Sequence, residues 1–139
     1  MSGRERYLRY SKGELGDIKK LYESVMSFAA HGMFYRTGKI MGKRIAGESK
    51  LSKDYFESAA SALKEEGWVE AVEFNGTEVV VKGSIERKNG PAPSCHLLRG
   101  VITCLYEERN GSGVTCVEAE CESSGAARCL FKINGGDAK

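Results

Sequence analysis

All five cysteines of this chain, Cys95, Cys104, Cys116, Cys121 and Cys129, fall in its last third. At 139 residues the chain is one domain's length, long enough to bury a hydrophobic core without disulfide staples. The clustering therefore reads as thiol chemistry or metal binding in a reducing compartment rather than as a disulfide framework. Between Val117 and Phe131, Glu118 is followed by Cys121 at +3 and Cys129 at +11, and Cys95 stands 23 residues before the glutamate. Thiolates and a carboxylate are ligands that zinc accepts together, and four of them close a tetrahedral structural site.

Geometry limits which side chains can share an ion. A helix over Cys95 to Glu108 sets Cys95 and Cys104 roughly half a turn out of phase, so only one of them can face a common ion. Cys104, within the apolar stretch Val101 to Leu105, reads as a small buried hydrophobe. Alternation along a strand puts Cys116, Glu118 and Glu120 on one face and Cys121 on the other. Glu118 and Cys121 can then meet at one ion only if the strand ends or bulges between them. The competing set takes Cys116 in place of Glu118 and leaves the glutamate solvated.

Upstream, periodicity predicts three helices: Leu15 to Ala29, Gly32 to Ala46, and one capped by Ser52 and stopped by Gly67. After Gly67 the period changes to two. Trp68 to Phe74 and Thr77 to Ile85 read as strands joined by a type I′ turn at Asn75-Gly76. Glu86 to Pro93, with Asn89-Gly90-Pro91, reads as an exposed connector. Cys95 to Glu108 is a fourth helix, Gly113 to Glu120 and Arg128 to Ile133 are two more strands, and Asn134 to Lys139 is a frayed tail. This order predicts a single α+β domain over 1–139, with an antiparallel sheet of about four strands and helices mainly on one face.

With these elements in place, Cys95 opening a helix that contains Gly100, then Glu118-x-x-Cys121, Gly125 and Cys129-x-Phe131, resembles the 4-vinyl reductase domain family. That family includes stand-alone archaeal proteins described as hydrocarbon binders, an accessory protein of bacteriochlorophyll synthesis, and the sensory domains of phenol-responsive activators. The resemblance covers Cys95 to Ile133 specifically and the second helix, around Tyr35, Gly38 and Gly42, more loosely. It implies a structural zinc held by Cys95, Glu118, Cys121 and Cys129, an architecture similar to TRAPP subunits, and a tendency to form homodimers. It also implies a small hydrophobic ligand, whose pocket residues the sequence does not identify.

The function expected on this basis is a cytoplasmic module that binds a small hydrophobic molecule and regulates a separate effector protein. A ligand-free dimeric adaptor is the alternative, and a tetrapyrrole vinyl reductase or its accessory protein is a third reading. Enzyme activity has little support: no nicotinamide or flavin fingerprint, catalytic triad or open metal position is visible, and no catalytic residue is assigned. Met1 to Tyr10 has three arginines and no apolar run, so it is not a signal peptide core, and no stretch is long enough for a membrane span.

Other signals have plain readings. The net charge of +2 and the bases Arg36, Lys39, Lys43 and Arg44 indicate no nucleic-acid partner. Gly32 to Lys39 has the wrong spacing for a phosphate loop. Gly38 and Gly42 suit either a dimer seam or packing within the chain. His31 and His96 fit no nucleophile arrangement, although His96 adjoins Cys95. Phe28, Phe34, Tyr35, Met41 and Phe74 suit either a cavity lining or a solid core, and Trp68 reads as core.

Overall fold

The computed structural model describes residues 6–88 and 94–135, so 89–93 of the predicted Glu86 to Pro93 connector and the last four residues of the tail lie outside the described part. Helix α1 spans Lys12–Met26. It begins earlier than its apolar stripe because Ser11 and Glu14 form a reciprocal capping box: Ser11 Oγ accepts from Glu14 N at 3.0 Å, and Glu14 Oε1 accepts from Ser11 N at 2.9 Å. It ends at Met26, short of the expected Ala29, where Ser27 takes a positive φ of 54°.

Helix α2 is Ala29–Ser49, longer at both ends than its apolar pattern suggested. Helix α3 is Tyr55–Glu65, capped by Asp54 rather than Ser52: the Asp54 carboxylate accepts from Glu57 N at 3.1 Å, while Ser52 Oγ accepts from Asp54 N. Gly67, at φ 91°, ends it as expected.

Strands β1 (Ala71–Asn75) and β2 (Glu78–Lys82) form the expected hairpin, with the turn one residue later. Asn75 pairs with Glu78, so Gly76 and Thr77 make the turn. Gly76 has positive φ (63°) and Thr77 does not, which excludes type I′. Helix α4 (His96–Asn110) starts just after Cys95 and stops at Gly111, φ 77°. Strands β3 (Thr115–Glu120) and β4 (Cys129–Asn134) follow, and Asn134, expected in the tail, pairs with Thr115.

The four strands make one antiparallel sheet in the order β1-β2-β4-β3. Val79, Val81, Cys116, Cys129, Phe131 and Ile133 are buried in one cluster with Leu98, Val101, Ile102 and Leu105 of α4. Glu73, Glu78, Lys82, Val117 and Lys132, at the alternate positions, are exposed. The architecture is the α+β layering that the element order predicted.

Glycines determine how closely α2 approaches α4. A Cβ on Gly38 would collide with the Leu97 carbonyl, one on Gly42 would lie 2.8 Å from Cys104 Cβ, and one on Gly100 would collide with the Tyr35 carbonyl. These three residues therefore serve packing within the chain. Two of the α2 bases are engaged within the chain: Lys39 pairs with Glu107 at 3.0 Å, and Arg44 grips both oxygens of Glu66 at 2.7 Å.

Candidate metal centre

Cys95 occupies the N-cap of α4, Glu118 lies in β3, Cys121 immediately follows β3, and Cys129 opens β4. The register shows how residues predicted to lie on opposite faces come together. Glu118 pairs with Phe131 and Glu120 with Leu130, so Ala119 is an extra residue in a bulge. The bulge and the strand end turn Cys121 back toward the face of Glu118. One ligand atom from each of Cys95, Glu118, Cys121 and Cys129 lies within 4.8 Å of the other three.

The donor set suits a metal. Bonds of about 2.3 Å from a tetrahedral zinc to sulfur imply sulfur–sulfur edges of about 3.8 Å, and Cys95 Sγ and Cys129 Sγ are 3.9 Å apart. Glu118 Oε1 accepts from Cys95 N at 3.4 Å, while its Oε2 is buried with no hydrogen-bond partner among the described residues. A buried carboxylate oxygen left unpaired is costly, and a cation would satisfy it.

Charge crowding points the same way. Burial, reinforced by Cys121, pushes the Glu118 carboxyl up to about 8. The Cys121 thiol is held far below its ordinary value by hydrogen bonds from Cys129 and Cys95, while those two thiols are raised by donating to Cys121. Four acids here cannot all ionise without a cation among them.

Neighbouring groups hold the ligands in place. Glu122 N donates to Cys129 Sγ at 3.3 Å, and Cys95 Sγ and Ser84 Oγ are 3.2 Å apart. The Glu122 carboxylate accepts from Gly83 N at 3.1 Å and Ser84 N at 3.4 Å, joining the β2 exit to the metal loop. Such supports orient ligands and tune metal affinity.

The remaining candidates lie elsewhere. Cys104 is buried against Gly42, as expected of a small hydrophobe. Cys116 is buried on the inner sheet face, where burial pushes its thiol up to about 12, and the four-residue cluster contains Glu118 in its place. His96 stacks on His31 at 4.1 Å, its Nδ1 is buried without a hydrogen-bond partner among the described residues, and burial pulls its pKa down to about 4. The aromatic candidates divide: Phe34 is buried, Phe74 packs among Phe56 and Tyr106, and Phe28 is 84% exposed. Trp68, read as core, is half-buried and lines a cleft of about 380 Å³ with Leu15, Met41, Ile85 and Leu97, bordered by the Arg44–Glu66 pair.

Sequence reasoning missed a buried polar group beside the cysteines: Lys19, Glu86, Ser94 and Ser123. Glu86 falls in the segment that the sequence predicts to be an exposed connector, yet it is buried. Lys19 did carry a signal, since it occupies a stripe position between Leu15 and Tyr22, where an apolar residue belongs.

Residues 77–134 match the V4R domain family model. No curated protein matches the chain. Among solved structures, the phenol-responsive sensory domain of the transcription activator PoxR, crystallised with phenol, is similar with a TM-score of 0.79 and 22% identity, over 94% of this chain and 77% of that one. A vinyl-4-reductase family protein from Methanocaldococcus jannaschii is similar with a TM-score of 0.69 and 15% identity, over 92% of this chain and 83% of that one. At these identities the likeness is one of fold. With V4R matching 77–134 and two such folds aligning over nearly the whole chain, the resemblance to the 4-vinyl reductase domain family read from the sequence holds.

Proposed function

We propose that this chain is a ligand-binding regulatory module in which Cys95, Glu118, Cys121 and Cys129 hold one structural zinc ion. The observation that carries the regulatory reading is the alignment of 94% of the chain with a sensory domain crystallised with phenol. The zinc reading rests on the three sulfurs and the unpartnered Glu118 oxygen gathered at the bulge. Four protein ligands leave a tetrahedral ion no open position, so the ion would tie the α4 start to the β3–β4 hairpin without activating water.

The ligand in this reading is a small, mainly apolar molecule, and its output passes to another protein. The apolar cleft beside Trp68 is within the size range of small-molecule sites. The test is isothermal titration of the zinc-loaded protein with phenol and with a larger hydrophobic probe, alongside native mass spectra of freshly purified protein. Saturable one-to-one binding or a copurified small molecule supports the sensor; protein that binds neither probe and carries no added mass contradicts it.

A dimeric adaptor is the second reading, favoured by one observation. Leu21, Val25 and Phe28 on and just after α1 are 59%, 77% and 84% exposed, an apolar surface suited to a second copy. Sedimentation of the natural chain and of Val25→Glu separates the cases: a dimer that the substitution dissociates supports the adaptor, and a monomer throughout contradicts it.

A further inference from the structure

We infer that the buried Lys19–Glu86 pair is a latch that couples metal loading at the cysteine cluster to the docking of α1, an inference that rests on the metal reading above. Lys19 Nζ lies 2.6 Å from Glu86 Oε1, with the two side chains only 6% and 0% exposed. The same ammonium donates to the Ser94 carbonyl at 2.7 Å, one residue before the ligand Cys95.

Glu86 engages α4 as well as α1. Its Oε1 accepts from Leu97 N at 3.0 Å and its Oε2 from Leu98 N at 2.7 Å. These are among the orphan N–H groups of the first turn of α4, so Glu86 does what the N-cap residue Cys95 does not. Ser94 Oγ meets Glu86 O at 3.0 Å and Ser123 Oγ at 2.6 Å, and Ser123 lies two residues after the ligand Cys121. The segment that delivers Cys95 and the segment that delivers Cys121 thus meet in the network that receives Lys19.

A metal at the cluster neutralises acids that otherwise repel, and fixes Ser94 and Ser123 at the separation this network needs. Without it, the Ser94 carbonyl and the α4 start are free to shift, and Lys19 loses one acceptor while Glu86 loses its alignment. A buried charge with an incomplete partner set is poorly tolerated, so Lys19 leaves and α1 leaves with it. The other restraints on this helix lie nearer the surface: Lys12 donates to the Ile85 and Arg87 carbonyls, Glu23 meets Lys88 and His31, Tyr22 stacks on Phe34, and Leu21 and Val25 are mostly exposed. By thermodynamic reciprocity, docking of α1 must strengthen metal binding by the same factor that metal strengthens docking.

The test takes the full chain, stripped of metal under reducing conditions, with zinc ion as the only probe. Native mass counts bound zinc, and hydrogen exchange is read on peptides covering Leu15–Met26. Zinc is expected to slow exchange in α1 by about tenfold, within the usual range of coupling between sites. In the Lys19→Met/Glu86→Gln variant, which keeps the shape of the pair without its charges, zinc still slows exchange around Cys95 and Cys121 but leaves α1 unchanged, and zinc affinity falls by about tenfold. Glu86→Gln alone, which keeps a carbonyl for one α4 amide, serves as the milder variant and gives an intermediate effect. One zinc bound with α1 exchange unaltered in the natural chain overturns the latch alone, as does an undiminished α1 response in both variants. No zinc bound overturns the metal reading and the latch together.

Discussion

The two ends of the molecule are built on different principles. From Cys95 to Ile133, every element is tied to another by buried groups: α4 lies against the inner sheet face, and four potential ligands from three elements converge on one point. Helix α1 has a capping box, a thin apolar contact, surface bonds from Lys12 and Glu23 and one buried ion pair, with Leu21 and Val25 left mostly in solvent. One region has its position set by chemistry within it, the other by what it is latched to. Stability should therefore concentrate in the former and response in the latter.

The largest effect that tests this contrast is loss of a ligand. Cys129→Ala should lower the unfolding free energy of zinc-loaded protein by more than about 4 kcal/mol, the class of change produced by removing a structural metal. Urea unfolding with and without chelator checks it: the chelator should destabilise the natural chain greatly and the variant hardly at all. Gly100→Ala comes next, at about 3 kcal/mol, because the new methyl meets backbone of α2 that cannot rotate away. Thermal melts should show that loss, while Gly16→Ala in α1, where among the described residues no atom outside the local helix backbone stands within 4 Å, should not show it.

His96 gives a smaller, pH-dependent effect. Its folded pKa, near 4, lies below the ordinary 6.5, so the unfolded chain binds more protons between those values. Stability should be fully present above about pH 6.5 and decline as pH falls toward 4. Comparing the natural chain with His96→Gln isolates this contribution, and parallel pH profiles would refute it. Smallest is Gly47→Ala in α2, where among the described residues nothing outside the local helix backbone lies within 4 Å of the new methyl: it should stabilise by about 0.5–1 kcal/mol in the same melts.

The same contrast governs what could be read in advance. The third and fourth helices, the two hairpins and the antiparallel sheet follow from periodicity and from Gly67 and Gly111, which are local signals. Glu118 and Cys121 required a break in alternation, and the bulge at Ala119 supplies it. The errors have local causes too: the capping box at Ser11 moved the start of α1, and Asp54 displaced Ser52 as a cap. The latch was not legible, since Lys19 and Glu86 are 67 residues apart and only the tertiary structure makes a buried pair of a surface-type lysine and a loop glutamate. Nor does spacing state whether Gly38 and Gly42 face a partner or α4.

The central claim is that Cys95, Glu118, Cys121 and Cys129 form one metal site, and metal stoichiometry tests it most directly. Elemental analysis and native mass should be measured together on protein purified without chelator, for the natural chain and for alanine substitutions at these four positions, Cys104 and Cys116. The account predicts one zinc per chain, lost or greatly weakened by each of the four substitutions and retained by Cys104→Ala and Cys116→Ala. Metal-free protein that is fully folded would contradict it, as would zinc that survives Glu118→Ala and is lost in Cys116→Ala.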